Sequence, residues 1–156
     1  MKLQEIATIS KGIHLCEEPG KDYFHYSELT ISSLEPISFL DDRKLINVSS
    51  SKPVSPQYLT QQGDVLVSLY YPMIACYVEK AQEGYVIPHY MAVIRLKPYV
   101  NIDSRFVVQF INSSRGREAL GREISKNYGI HPTTLPLQYL NNVNLLEKEN
   151  LLLSSL

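Results

Sequence analysis

At 156 residues, with 44% apolar and 20% charged side chains, the chain is the size of one globular domain and can bury about two-thirds of its unfolded surface. Its net charge of -1 excludes a protein that holds nucleic acid by charge alone, so a nucleic-acid reader of this composition needs a partner or a local basic face. Eleven tyrosines and no tryptophan favour half-buried surfaces, where an apolar ring and a polar tip are both used.

The N-terminal Met1-Lys2-Leu3-Gln4-Glu5 has no apolar run of the signal-peptide kind, and the longest apolar run, Met73 to Val78, is far too short for a bilayer. A cytoplasmic protein with no membrane partner is expected. Ile6 to Ile9 predicts a first strand ended by Lys11-Gly12. Glu17-Glu18-Pro19-Gly20 predicts a turn, because proline presets φ and glycine supplies positive φ. Tyr23 to Tyr26 has the aromatic density of a strand. Asp41 to Pro56 reads as an exposed polar loop flanking a short strand over Leu45 to Val48, and Pro56 opens a helical turn over Gln57 to Leu59.

From Asp64 the pattern sharpens. Val65 to Leu69 is apolar at nearly every position, as a strand buried on both faces requires. Ile74 to Val78, Tyr85 to Ile87 and Ala92 to Leu96 predict three more strands, the first two joined by a turn at Gln82-Glu83-Gly84. The period then changes. Phe106, Val107, Phe110 and Ile111 form a helical stripe behind Asp103, a suitable N-cap. Arg115 to Ser125 predicts a second helix with Leu120 and Ile124 on its apolar side. Gly129 and Pro132 enforce a loop, Leu137 to Leu140 a turn, and Val143 to Leu146 a final strand. The expected class is α+β: a curved, partly closed mixed β-sheet with a late helical pair, forming one domain over residues 1–146 with a short tail at 147–156.

Catalytic signatures are sparse. There is no Gly-x-Ser-x-Gly elbow, no phosphate-cradling Gly-x-x-x-x-Gly-Lys and no cofactor motif. Cys16 and Cys76 stand sixty positions apart and predict two reduced, mostly buried thiols, not a zinc site. The four histidines (His14, His25, His89, His131) are scattered, none at ligand spacing. Asp42-Arg43-Lys44, with Asp22 upstream, matches part of a metal-dependent nuclease site, which needs two acids and a lysine. A charged surface loop explains the same residues.

The order of elements is more telling than any motif. Gly63-Asp64-Val65-Leu66-Val67-Ser68 is followed by Ala92-Val93-Ile94-Arg95 and Pro98. An amphipathic helix then reaches Asn112-Ser113-Ser114 and the basic Arg115-Gly116-Arg117. From Leu3 to Leu145 this series resembles the target recognition domain of type I restriction-modification specificity subunits. The resemblance implies a non-enzymatic reader of double-stranded DNA that directs a separate methyltransferase subunit, with a second recognition domain or a second copy of the chain as a further partner. It also implies a missing spacer: family members continue from the last strand into a long helix, for which residues 147–156 leave room for only two turns.

Within that resemblance, Arg115, Arg122 and Lys126 share one helix arc with Glu118 and imply a phosphate-tracking face; the alternative is a solvated side laced by Glu118 and Arg122. Asn127, Tyr128, His131 and Thr133 belong to a Gly-containing polar loop whose amide, imidazole and hydroxyl groups can read base edges. Tyr70-Tyr71 stands where the family carries an Arg-Gly or Asp-Gly loop, and His89-Tyr90 where it often shows a polar-His pair. Both pairs are candidate DNA contacts. The rival reading is a recognition-domain fold serving as a protein–protein module or decoy subunit without DNA readout.

Overall fold

Val65, Val67 and Leu66 point alternately into two different apolar cores, and the fold is built around that strand. The computed structural model describes residues 1–18, 20–21, 23–36, 38–70, 73–120 and 137–145. Its strands are β1 (Ala7–Lys11), β2 (Phe24–Glu28), β3 (Ile46–Ser50), β4 (Val65–Ser68), β5 (Ala75–Tyr77) and β6 (Met91–Leu96). Its helices are α1 (Leu3–Ile6), α2 (Ser104–Asn112), α3 (residues 114–120 of the described chain) and α4 (Leu137–Asn141).

Four strands form one antiparallel sheet in the order β1-β6-β4-β5, and β2 and β3 form a separate two-stranded ribbon. In the main sheet Leu66 pairs with Val93 on one side and Cys76 on the other. One face packs on α1, α2, α3 and α4 through Val65, Val67, Ile94, Val107, Ile111 and Leu140. The other face packs through Leu66, Cys76, Met91 and Val93 on Leu29, Leu34, Leu40 and Ile87. All four β4 side chains are buried, as the unbroken apolar run predicts.

The α+β class holds, with two refinements. Among the described residues every strand pair is antiparallel, parallel pairing occurs only at isolated bridges such as Glu28 with Val86, and the sheet is open. Residues 3–6 form one helical turn ahead of β1, because Lys2 N donates to Glu5 Oε2 at 3.1 Å and turns Leu3 and Ile6 into the core. Tyr85 to Ile87 is not a ladder strand: Val86 makes single bridges to Glu28 and Leu59. Leu137–Asn141 is helical where a turn is expected, and the expected final strand is reduced to one bridge between Asn144 and Lys2. The 41–56 segment is not a uniformly exposed loop, since Asp41, Ser50 and Val54 are buried.

Helix α2 fits its sequence closely. The Asp103 carboxylate accepts from Arg105 N at 2.9 Å, and Val107, Val108, Phe110 and Ile111 are buried. Gly116 then lets α3 fold back on α2, because a Cβ there would overlap the Phe110 carbonyl oxygen and lie 2.8 Å from Ile111 Cα.

Candidate functional site

The residues that carry the family resemblance turn out to be structural anchors. Gly63 adopts φ +88°, a left-handed turn that suits glycine. It delivers Asp64 to a buried position where both carboxylate oxygens are engaged. Arg95 Nε and Nη2 donate to Oδ1 and Oδ2 at 2.8 Å each, and Gln61 N donates to Oδ2 at 2.9 Å. Arg95 Nη2 also reaches the Leu59 carbonyl at 3.1 Å. A two-pronged arrangement of this kind fixes β6 against the loop leading into β4. A cleft of about 610 Å³ opens beside the pair, near Thr8, Gln61, Lys97 and Ser104, but Asp64 already balances the Arg95 charge there.

The Asn112-to-Arg117 stretch clasps the far edge of the sheet. Asn112 Nδ2 donates to the Ala75 carbonyl at 2.8 Å and its Oδ1 accepts from Ala75 N at 2.9 Å, so one amide side chain completes the open edge of β5. Asn112 Nδ2 also donates to Ser38 Oγ at 2.8 Å, and Arg117 Nη1 donates to the Met73 carbonyl at 2.9 Å. Ser38 (φ 76°) and Met73 (φ 57°) are the two non-glycine residues with positive φ among those described, and each is held by one of these side chains. Arg117, in a run that reads as a basic surface, therefore faces the fold. Arg115 and Glu118 are exposed and Leu120 is buried, as the helical stripe predicts.

Three candidate contact residues come together. Tyr70 and Tyr90 rings lie 6.1 Å apart, and Tyr90 meets the His89 ring edge-on at 5.2 Å. His89 stacks on His14 at 3.6 Å, so two of the supposedly scattered histidines form a pair. Topology joins them: Ile13 N donates to the Ile87 carbonyl at 3.0 Å, bringing the end of β1 beside residues 87–90. A cleft of about 280 Å³ lies there, walled by Glu17, Glu28, Val48 and the two histidines. Desolvation, then the neighbouring His14 and Lys11, hold His89 below the ordinary histidine range. Burial pushes the Glu28 carboxyl up, opposed by His14. Tyr71, Arg122, Lys126, Asn127, Tyr128, His131 and Thr133 lie outside the described residues.

The nuclease fragment is taken apart by the structure. Asp41, not Asp42, is the buried acid, bound to Arg43 at 2.9 and 3.0 Å. Lys44 pairs with Glu35 at 2.8 Å. Asp42 is exposed, and Asp22 lies outside the described residues. Among the described residues no three acid, histidine or cysteine side chains gather as metal ligands. Cys76 is buried, and burial pushes its thiol up to about 12. Cys16 is exposed, contrary to expectation, because it lies on the polar 14–18 loop and contributes only its carbonyl, to Ser51. No helix of the described residues is long and apolar enough to cross a membrane.

No family model and no curated protein matches the chain. Solved structures do. A chain from a study of complex assembly and conformational transition of a type I restriction-modification system superposes with a TM-score of 0.67 at 12% identity, over 99% of this chain and 40% of that one. The HsdS subunit from Thermoanaerobacter tengcongensis gives 0.64 at 14% identity, over 99% and 40%. The S subunit of the M. genitalium type I system gives 0.50 at 9%, over 92% and 32%. The fold is that of a portion of these chains, and the chain spans about 40% of the length of the first two.

Proposed function

We propose that the chain is a DNA target recognition domain of a type I restriction-modification specificity subunit. It reads duplex sequence for a separate methyltransferase subunit in the cytoplasm and carries out no chemistry itself. One observation carries this reading: 99% of the chain superposes on a specificity subunit, HsdS, while filling only 40% of it. The anchoring roles of Asp64, Arg95, Asn112 and Gly116 support it, because residues that carry the resemblance to these recognition domains are the ones that tie the sheet and helices together. The recognition domain is assigned to residues 1–146.

The DNA-facing surface assigned here combines Tyr70, His89 and Tyr90 with exposed Arg115. Arg122, Lys126 and the 127–134 loop, with Tyr71, complete the assignment on the sequence reading. With so few cations available, binding by the chain alone is weak and salt-sensitive. Log affinity should fall with log salt at a slope of about -3 to -4, near -0.9 per phosphate contact. Titration of a labelled duplex at several salt concentrations, with and without the methyltransferase subunit, measures this. Absence of binding at low salt in both conditions overturns the reading.

A further inference from the structure

Alternation sorts the β2–β3 ribbon into two unlike faces. Phe24, Tyr26 and Glu28 share one face with their partners Ser50, Val48 and Ile46. The middle of that face turns toward the fold, where Val54 N donates to Tyr26 Oη at 3.0 Å and Glu28 and Val48 wall the histidine cleft, while Phe24 and Ile46 toward its ends are exposed. The other face carries His25 opposite Ser49 and Ser27 opposite Asn47. These four residues, with Tyr26 and Val48 between them along the strands, line an open depression of about 480 Å³, and His25 and Asn47 are exposed. Solvated ribbon edges are ordinarily guarded by charged side chains. This face has neither a carboxylate nor a lysine or arginine, only amide, hydroxyl and imidazole groups.

We infer that this face of the ribbon is a base-reading surface for duplex DNA, an inference that rests on the recognition function proposed above. The major groove admits a two-stranded ribbon, and the base edges there present uncharged donors and acceptors. Asn47 has the donor–acceptor pair that matches an adenine edge, and the hydroxyls of Ser27 and Ser49 can donate or accept. His25 Nδ1 is engaged with Ser49 Oγ at 3.0 Å. Its Nε2 therefore meets a base as donor in one tautomer and as acceptor in the other.

The spacing fits as well. The His25–Ser49 and Ser27–Asn47 pairs are two residues apart along the ribbon, about 6.6 Å at strand rise. That is roughly two base-pair steps of about 3.4 Å, so the face covers two or three adjacent base pairs. Glu28, the acid of β2, sits on the opposite face, and the open end of the ribbon carries exposed Lys21 and Lys52 beside exposed Glu17 and Glu18, so charge is confined to that end and absent from the reading face.

The test is selection from a pool of randomised duplexes at low salt, run with the full chain as wild type, Asn47→Ala, and the double variant His25→Ala with Ser49→Ala. The wild type enriches a motif; Asn47→Ala loses preference at one position of it and the double variant at a neighbouring position or two, by about tenfold or more per lost contact. Thermal unfolding of the variants, whose changed side chains lie on the surface, confirms that they fold. If the variants enrich the unchanged motif, the ribbon inference fails and the recognition function stands. If the variants keep the motif but lose co-purification with the methyltransferase subunit, the ribbon is a protein contact and the inference is again overturned. If the wild type enriches nothing, alone or with the methyltransferase subunit, both fall.

Discussion

Arg95 and Asp64, 31 residues apart in the chain, meet through two parallel hydrogen bonds of 2.8 Å, with the Asp64 side chain only 1% exposed. The pair closes the loop before β4 onto β6, and the Leu59 carbonyl takes a further Arg95 hydrogen. It thus joins the two strands at the middle of the sheet.

Removing the arginine leaves a buried carboxylate with only the Gln61 amide to answer it. Arg95→Met is expected to lower stability by about 3 kcal/mol or more, the range for stripping one partner from a buried ion pair. Arg95→Lys restores the charge without the planar fork and recovers less than half of the loss. Urea denaturation of the three proteins measures this. A loss within about 0.5 kcal/mol for Arg95→Met would show that the pair is not anchoring the sheet.

Asn112→Ala strips the Ala75 N–H and C=O of their partner and releases Ser38 at the same time. Each buried backbone group left unsatisfied costs about 1–3 kcal/mol, so a total near 3 kcal/mol is expected. Gln109→Ala, on the exposed side of the same helix, changes stability by no more than about 0.5 kcal/mol. Equal effects from the two substitutions would contradict the edge-clasping role.

These two anchors also mark the limit of what the sequence discloses. β4, β6 and α2 are legible because their signals are local: an unbroken apolar run, a second apolar run, and a 3.6-residue stripe with Asp103 capping it. Gly63-Asp64 reads locally as a turn, and nothing near it names Arg95 as the partner. Arg117 reads as part of a basic surface, yet its guanidinium lies against the Met73 carbonyl. Four-residue α1 is shorter than any periodicity test can resolve. His14 and His89 are 75 positions apart and become neighbours only when Ile13, just past β1, bridges to Pro88.

Asp41 gives the fold a defined acid sensitivity. Its hydrogen bonds with Arg43 lower its pKa from 3.8 to about 2. A carboxylate with a depressed folded pKa stabilises the fold above its unfolded pKa and loses that contribution as pH falls through the folded value. The expected window runs from about pH 4 down to about pH 2. Thermal unfolding of wild type and Asp41→Asn should differ above this window and converge below it. Parallel acid profiles for the two proteins would mean that another group governs the loss.

The two cysteines differ in reactivity. Thiolate is the reacting form, and Cys76 is buried with its pKa raised to about 12, so it stays protonated at pH 8. A disulfide reagent should modify one thiol in the native protein, Cys16, and both after denaturation. Rapid native modification of Cys16→Ser would show that Cys76 becomes accessible through opening around β5.

The helix side and the loop beyond it are expected to divide affinity from discrimination. Lysine and arginine side chains meet phosphates, which look alike at every base pair, so Arg122→Ala should weaken cognate and scrambled duplexes about equally. Asn127 and His131 belong instead to a polar segment that Gly129 and Pro132 mark as a loop in the sequence, and their amide and imidazole groups can match one pattern of base edges. Asn127→Ala and His131→Ala should each cost about 1–3 kcal/mol on the cognate duplex and little on a scrambled one. The comparison needs only equilibrium titrations of three variants on two duplexes at one salt concentration. If the loop substitutions lower both affinities equally, the loop positions the protein without reading it, and discrimination must reside in the Tyr70, His89 and Tyr90 cluster or on the ribbon face.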